Sequence, residues 1–257
     1  MTGLLRRRLM AGDALGSSEL QEWLGTGTGV RANMVASVDG RATVGGRVGS
    51  LTGPADQKLL VALRGWCDVL LVGSGTVRAE GYGAIDLPEE IVAIRERRGQ
   101  MPQPVVAILT ASLDLDPSLP LFADARPDTR PWLVTVAGAG RARLDPYAHI
   151  VEVAAGPDER PSVEAALEVL RAAGLRRVLS EGGPTVLGHL LGQGLVDQLF
   201  VTVSPVVVGG EGIRIVHVSE YEKPVQLTLR DVLGGTNEVF LRYSVGSGHT
   251  SNGTDSL

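Results

Sequence analysis

The stretch VLLVGSGTVRAE, residues 69–80, decides how the chain is read. Its first five residues are uniformly apolar and end at a glycine, the signature of a strand buried on both faces of a parallel sheet. Gly73-Ser74-Gly75-Thr76 then leads straight into Val77-Arg78-Ala79-Glu80. Glycines at such a point let backbone approach a ligand closely, and free N–H groups at a helix start attract phosphate. An ordinary strand-to-helix turn accounts for the same residues. The usual dinucleotide fingerprint is incomplete, because the third glycine is replaced by Arg78. A second segment, RRVLSEGGPTVL at 176–187, repeats the logic: a buried strand, then Ser180-Glu181-Gly182-Gly183, then Pro184-Thr185 opening a helix. Two glycine-bearing turns at the carboxyl ends of parallel strands fall where open α/β sheets bind ligands. A pyrophosphate with one turn on each side explains both economically.

Working outward, the strands read as 31–38, 69–73, 105–110, 131–136, 150–154 and 176–183, with helices at 54–64, 86–98, 162–173 and 184–192. Pro54 suits a helix first turn, with Leu59, Leu60 and Leu63 on one face. Val163, Ala166, Leu167 and Leu170 mark the clearest amphipathic helix, stopped by Gly174. After residue 198 the pattern changes to strands alone, at 199–209, 225–232 and 238–245. The fold class expected is therefore α/β, a mixed and mostly parallel sheet with flanking helices and antiparallel C-terminal strands. One domain over 30–245 suffices, preceded by an N-terminal arm (1–29) of uncertain structure and followed by a disordered tail (246–257).

Composition narrows the function classes. A net charge of −5 argues against nucleic acid or an anionic membrane as the main partner. Arg6, Arg7 and Arg8 form a basic cluster with no apolar run behind it, read as a solvated arm rather than a signal peptide. No stretch is long and apolar enough for a membrane helix, and a cytoplasmic location is the default. The single cysteine, Cys67, precludes an intramolecular disulfide or a Cys-rich zinc cluster, and no metal site is expected. His149, His189, His217 and His249 form no metal-binding pair and read as structural. There is no Gly-x-Ser-x-Gly elbow for a hydrolase and no zinc-deaminase signature.

Carboxylates remain for proton handling. Asp39 ends the first strand, Asp56 lies in the first turn of the 54–64 helix, and Glu80 follows the 73–76 turn. A carboxylate beside a helix start can take an amino-pyrimidine edge through two parallel hydrogen bonds, or can simply complement the helix dipole. Asp39, before Gly40, is equally at home as a turn former.

The set SVDGR (37–41), LTGPAD…LR (51–64), VGSGTV (72–77), EGGPTVL (181–187) and SPVVVGG (204–210) resembles the riboflavin-biosynthesis pyrimidine reductase. That enzyme is the C-terminal half of a bifunctional deaminase-reductase and has the dihydrofolate reductase fold. The resemblance runs from about residue 30 to 245 in matching order, without the deaminase half. It implies an NADPH-dependent oxidoreductase, a homodimer, that reduces 5-amino-6-(5-phosphoribosylamino)uracil or a close relative. Cofactor contacts carried over are Gly73, Ser74, Gly75, Thr76, Thr110, Glu181, Gly182, Gly183, Pro184 and Thr185. Asn33, Thr52, Asp56, Lys58 and Glu80 become candidate substrate contacts, and Asp39 and Asp56 the candidate catalytic residues.

Three features of the sequence set it apart from the family pattern. Gln57 and Lys58 stand where the riboflavin reductases carry adjacent arginines, and lysine lacks the planar fork that grips phosphate. Ala79-Glu80-Gly81-Tyr82 replaces the usual Ala-Asp-Asp/Asn-Pro. Asp56 falls where dihydrofolate reductases keep the acid that holds the pterin. A dihydrofolate reductase-like activity on a pterin is thus the alternative, and a catalytically inactive NADPH-binding protein the third. An unrelated Rossmann dehydrogenase would need the missing glycine and a catalytic Tyr-Lys or His.

Overall fold

The structure, a computed structural model, describes residues 16–139, 143–235 and 237–246. The arginines at 6–8 and the tail past residue 246 lie outside the described residues. The chain opens with α1 (Ser17–Leu24), β1 (Gly29–Ser37), α2 (Pro54–Trp66), β2 (Val69–Gly73) and α3 (Ser74–Glu80). It continues through α4 (Glu89–Arg97), β3 (Val105–Leu109), α5 (Pro120–Ala123), β4 (Trp132–Val136) and β5 (His149–Val153). Then come α6 (Val163–Ala172), β6 (Arg177–Ser180), α7 (Pro184–Gly192), β7 (Gln198–Ser204), β8 (Leu227–Gly234) and β9 (Val239–Val245).

All nine strands form one sheet in the order β5-β4-β3-β2-β6-β1-β7-β9-β8. The first seven in that order run parallel, and β9 and β8 close the edge antiparallel. This is the mixed sheet with antiparallel C-terminal strands expected from the sequence. The continuous apolar runs are explained by helices on both faces. Along β2, Leu70 and Val72 join the core beneath α1, α2 and α4, whereas Val69 and Leu71 join the one beneath α6 and α7. The chain order reverses where β6 enters between β1 and β2, with Val178 opposite Val30 on one side and Val69 on the other. At such a switch point the loops leaving neighbouring strands part to opposite faces and open a crevice.

Within the region read as an arm, α1 is a helix seated on the core, with Leu20 and Leu24 buried. Arg31 of β1 reaches under it. Its guanidinium lies 3.8 Å from the Trp66 ring centroid and donates from Nη2 to the Leu24 carbonyl at 2.7 Å. Burial pushes the Arg31 pKa down to about 9. The strand read at 199–209 stops at Ser204, where Pro205 interrupts the ladder. The backbone beyond is held instead by Asp39, whose carboxylate accepts from the N–H groups of Val208 (3.1 Å) and Gly209 (2.7 Å).

Arg95, 0 % exposed, is the least conventional core residue. Its Nη1 donates to the carbonyls of Gly65 (3.1 Å) and Cys67 (2.5 Å) at the end of α2, and its Nε to Met101 (2.8 Å). A helix terminus leaves carbonyls without partners, and this guanidinium collects them from inside the core. Replacing Arg95 with Ala strands these acceptors in an apolar environment. The expected loss is about 3 kcal/mol, read as a lower urea midpoint with an unchanged slope.

Candidate active site

The crevice at the carboxyl edge holds a cavity of about 620 Å³. Its floor is the pair of glycine turns. Gly73 N–H donates to the Gly182 carbonyl at 2.9 Å, and the Gly182–Gly183 peptide is cis. A Cβ on Gly183 would lie 2.7 Å from Thr76 Oγ1, and one on Gly73 3.1 Å from Val186 Cγ2, so the two turns meet only because both residues lack side chains. No side chain caps α7, which opens with Pro184 after an extended Gly183, so its first-turn N–H groups remain available to an anion. The turn read at 73–76 is tighter than expected: β2 ends at Gly73 and α3 begins at Ser74.

One wall is a stripe of α2. Asp56, Leu60 and Arg64, spaced four apart on one helical face, all line the cavity. Asp56 is 4 % exposed, and one of its oxygens accepts from Thr202 Oγ1 of β7 at 2.7 Å. Desolvation raises its pKa to about 6, against the Thr202 hydrogen bond, and the negative charges of Glu238 and Glu181 add to the rise. No cation among the described residues pairs with it. Asn33 of β1 also faces the cavity, and its Oδ1 is buried without a hydrogen-bond partner. Strand alternation puts Asn33 on the same side as Arg31, hence on the α2 face with Asp56. An orphaned acceptor and an unpaired carboxylate on one wall are what a ligand rich in N–H donors would satisfy.

Arg64 and Glu181 form a bidentate pair, with both nitrogen–oxygen distances 2.7 Å, and Tyr82 Oη donates to Glu181 Oε2 at 2.6 Å. The pair holds the Arg64 pKa above its usual range, and desolvation beside Glu181 raises that of Tyr82. Glu80 accepts from Val48 N–H at 3.0 Å and ties the glycine-rich 45–49 loop to α3.

The cavity therefore gathers most of the residues proposed from the sequence: Asn33, Thr52, Asp56, Glu80, Gly73, Ser74, Gly75, Thr76, Glu181, Gly183, Pro184 and Thr185. Asp39, Lys58, Thr110 and Gly182 are not on its wall. Asp39 is exposed and engaged with Ser37 and the 208–209 backbone, which depress its pKa. Lys58 is exposed, because two residues beyond Asp56 the helix has turned through about 200°. Thr110 is buried, its Oγ1 accepting from Leu113 N–H at 3.1 Å. Gly182 contributes a carbonyl to Gly73 instead. The sequence reading missed Arg64, Tyr82, Arg160 and the cavity-lining His189. The four-residue stripe from Asp56 carried the signal for Arg64; the others come from loops and a helix face that only the tertiary fold brings in. Among the described residues no cluster could hold a metal ion, and no helix is long and apolar enough to cross a membrane.

Residues 28–241 match the model of the RibD C-terminal domain. The chain belongs to that family. A 2,5-diamino-6-ribosylamino-4(3H)-pyrimidinone 5′-phosphate reductase of Archaeoglobus fulgidus is 30% identical over 183 residues, covering 70% of this chain and 82% of the relative. The crystal structure of a pyrimidine reductase-like protein from Corynebacterium diphtheriae superposes with a TM-score of 0.78 at 27% identity, over 92% of this chain and 99% of that one. The riboflavin biosynthesis reductase of Saccharomyces cerevisiae, at 19% identity, shares the fold with a TM-score of 0.62 over 86% and 91% of the two chains. The architecture of this RibD-type domain is accordingly the dihydrofolate reductase-like mixed sheet.

The raised Asp56 pKa has a thermodynamic consequence. A carboxyl more basic in the folded than the unfolded chain keeps its proton on folding, so stability is highest below about pH 4 for this group and falls as pH rises to about 6. Two pH units correspond to about 3 kcal/mol. Asp56→Asn, which can still accept from Thr202, should remove that component. The variant is expected to gain stability over the parent at pH 8 and not at pH 4, measured by urea unfolding at both.

Proposed function

We propose that the protein is an NADPH-dependent reductase of a ribosylaminopyrimidine 5′-phosphate, of the diaminopyrimidinone or aminouracil type. The observation that carries this reading is one cavity with an open backbone cradle at its floor and a donor-seeking wall at Asp56 and Asn33. Family membership and the names of the relatives support it. The cradle fits a dinucleotide: the Gly73 and Gly183 turns touch, and the first turn of α7 presents N–H groups to a pyrophosphate. Ser74, Gly75, Thr76, Pro184 and Thr185 would line it. The cofactor, when bound, supplies a hydride.

The protein's own residues position the acceptor. An opened ribosylamine presents a C1′=N imine, the group that a hydride reduces to a ribitylamine. Asp56 and Asn33 hold the pyrimidine edge, and Arg64, fixed by Glu181 and Tyr82, keeps the α2 stripe against the sheet edge. Leu60 and Ile85 contribute apolar surface that excludes water. Orientation of this kind supplies much of the acceleration in hydride transfer. Asp56, with a pKa of about 6, can also exchange a proton near neutral pH.

That same carboxylate favours a second reading, reduction of a dihydropterin, whose 2-amino and ring N–H groups make the same two-donor edge. A homodimer working in the cytoplasm completes the proposal. Val38 and Val207, 63% and 73% exposed on segments joined by the Val38 N–H to Val206 carbonyl bond, offer an apolar contact for a second copy.

NADPH oxidation followed at 340 nm with the diaminopyrimidinone, the aminouracil and dihydrofolate separates these readings. Turnover of a ribosylaminopyrimidine phosphate is expected, and turnover of dihydrofolate alone would replace the first reading with the second. Gly183→Ala, whose methyl collides with Thr76 Oγ1, should weaken cofactor binding about tenfold, and Thr76→Ala in the same chain should recover part of it.

A further inference from the structure

The cavity has an electrical polarity. Its ionisable side chains on the α2 and α3 side are Asp56 and Glu80, both acidic, together with Arg64, already neutralised by Glu181. On the α6 and α7 side the cavity is lined by Arg160 and His189. No carboxylate among the described residues pairs with Arg160, whose side chain is exposed at the cavity margin.

Arg160 is also held in place at a cost. The turn from 154 to 162 closes on itself: Gly156 N–H donates to the Arg160 carbonyl at 2.6 Å, Arg160 N–H to Pro157 at 3.2 Å, and Ser162 N–H to Ala154 at 2.9 Å. Asp158 and Glu159, neither of them glycine, both adopt φ of 56° in the left-handed region. Two consecutive residues in that conformation persist only where their surroundings dictate it. The turn places Arg160 on the cavity lining from the face opposite Asp56, since Val163 packs with Leu187 and Leu190 while the α2 residues belong to the other core.

We propose that Arg160 recognises the 2′-phosphate of the cofactor's adenosine and so sets a preference for NADPH over NADH. This rests on the reading of the cavity as a dinucleotide site. The pyrophosphate is served by backbone N–H groups at the floor, which leaves the terminal phosphate monoester as the dianion in need of a side chain. Arginine's planar fork matches it. The acidic end at Asp56 and Glu80 repels that phosphate, so the charge distribution also fixes which way round the dinucleotide lies.

Direct binding of NADP⁺, NAD⁺ and adenosine 2′,5′-bisphosphate, by calorimetry on the full chain, tests this without turnover. Arg160→Gln should weaken NADP⁺ and the bisphosphate about 10- to 100-fold and leave NAD⁺ unchanged, with Arg160→Lys in between. Equal losses for NADP⁺ and NAD⁺ would assign Arg160 to the pyrophosphate and overturn the proposal. So would unchanged NADP⁺ binding, with or without a raised KM for the phosphorylated substrate. If the parent chain binds neither dinucleotide, the cofactor reading fails first and takes this inference with it.

Discussion

Between β1 and β2 the chain leaves a gap one strand wide, and β6 fills it only after the excursion through β3, β4 and β5. Its four residues complete the ladders of both neighbours at once. Without it, two parallel strands from the middle of the sheet would each carry an unpaired edge inside the core, a state that buried backbone groups do not tolerate. Asp68 reinforces the closure by accepting from the backbone N–H groups of Arg176 and Arg177. Because β6 ends at Ser180 opposite Leu71, two residues before β2 ends, the Glu181–Pro184 turn is brought against the Gly73–Thr76 turn. The crevice is therefore a consequence of strand order.

Glu181 shows how much of such a site serves geometry. It stands beside a glycine pair in a motif that reads as a ligand loop, yet its oxygens are taken by Arg64 and Tyr82. A carboxylate this sheltered requires its cation, and removing either partner would leave a buried charge uncompensated. The pair joins the end of β6 to the middle of α2 and to the loop after α3. Aligning Arg64 in this way also aligns Asp56, two turns earlier on the same face, so a structural ion pair governs where this wall of the cavity stands.

The sheet was legible because its strands are short apolar runs bounded by glycine and its helices begin at proline or serine; such signals are local. The end of the 199–209 strand was misjudged because Asp39, a residue far away in sequence, captures the 208–209 backbone. The helix at 17–24 was missed because its apolar face is narrow, and its anchor is Arg31, whose cation over Trp66 has no sequence signature. The glycine turns and Asp56 were legible as candidates through their positions at strand ends and a helix start. Lys58 illustrates the opposite case: its resemblance to a phosphate-binding position in the linear pattern is undone by the rotation of α2. Arg160 could not be read at all, since nothing before folding distinguishes it from the chain's other arginines.

On the proposed function, Asp56 is where stability and binding diverge. A buried carboxylate with one hydroxyl donor, no cation and two further acids in its field is an unfavourable core residue, and a leucine of similar reach would relieve the strain on the folded state. Asn33 Oδ1 on the same wall adds a second unmet polar group. Both deficits disappear when a ligand carrying paired N–H donors fills the cavity, because the donors satisfy the acceptors and the ligand displaces the water that would otherwise compete. Binding free energy is then drawn from a defect already built into the empty protein.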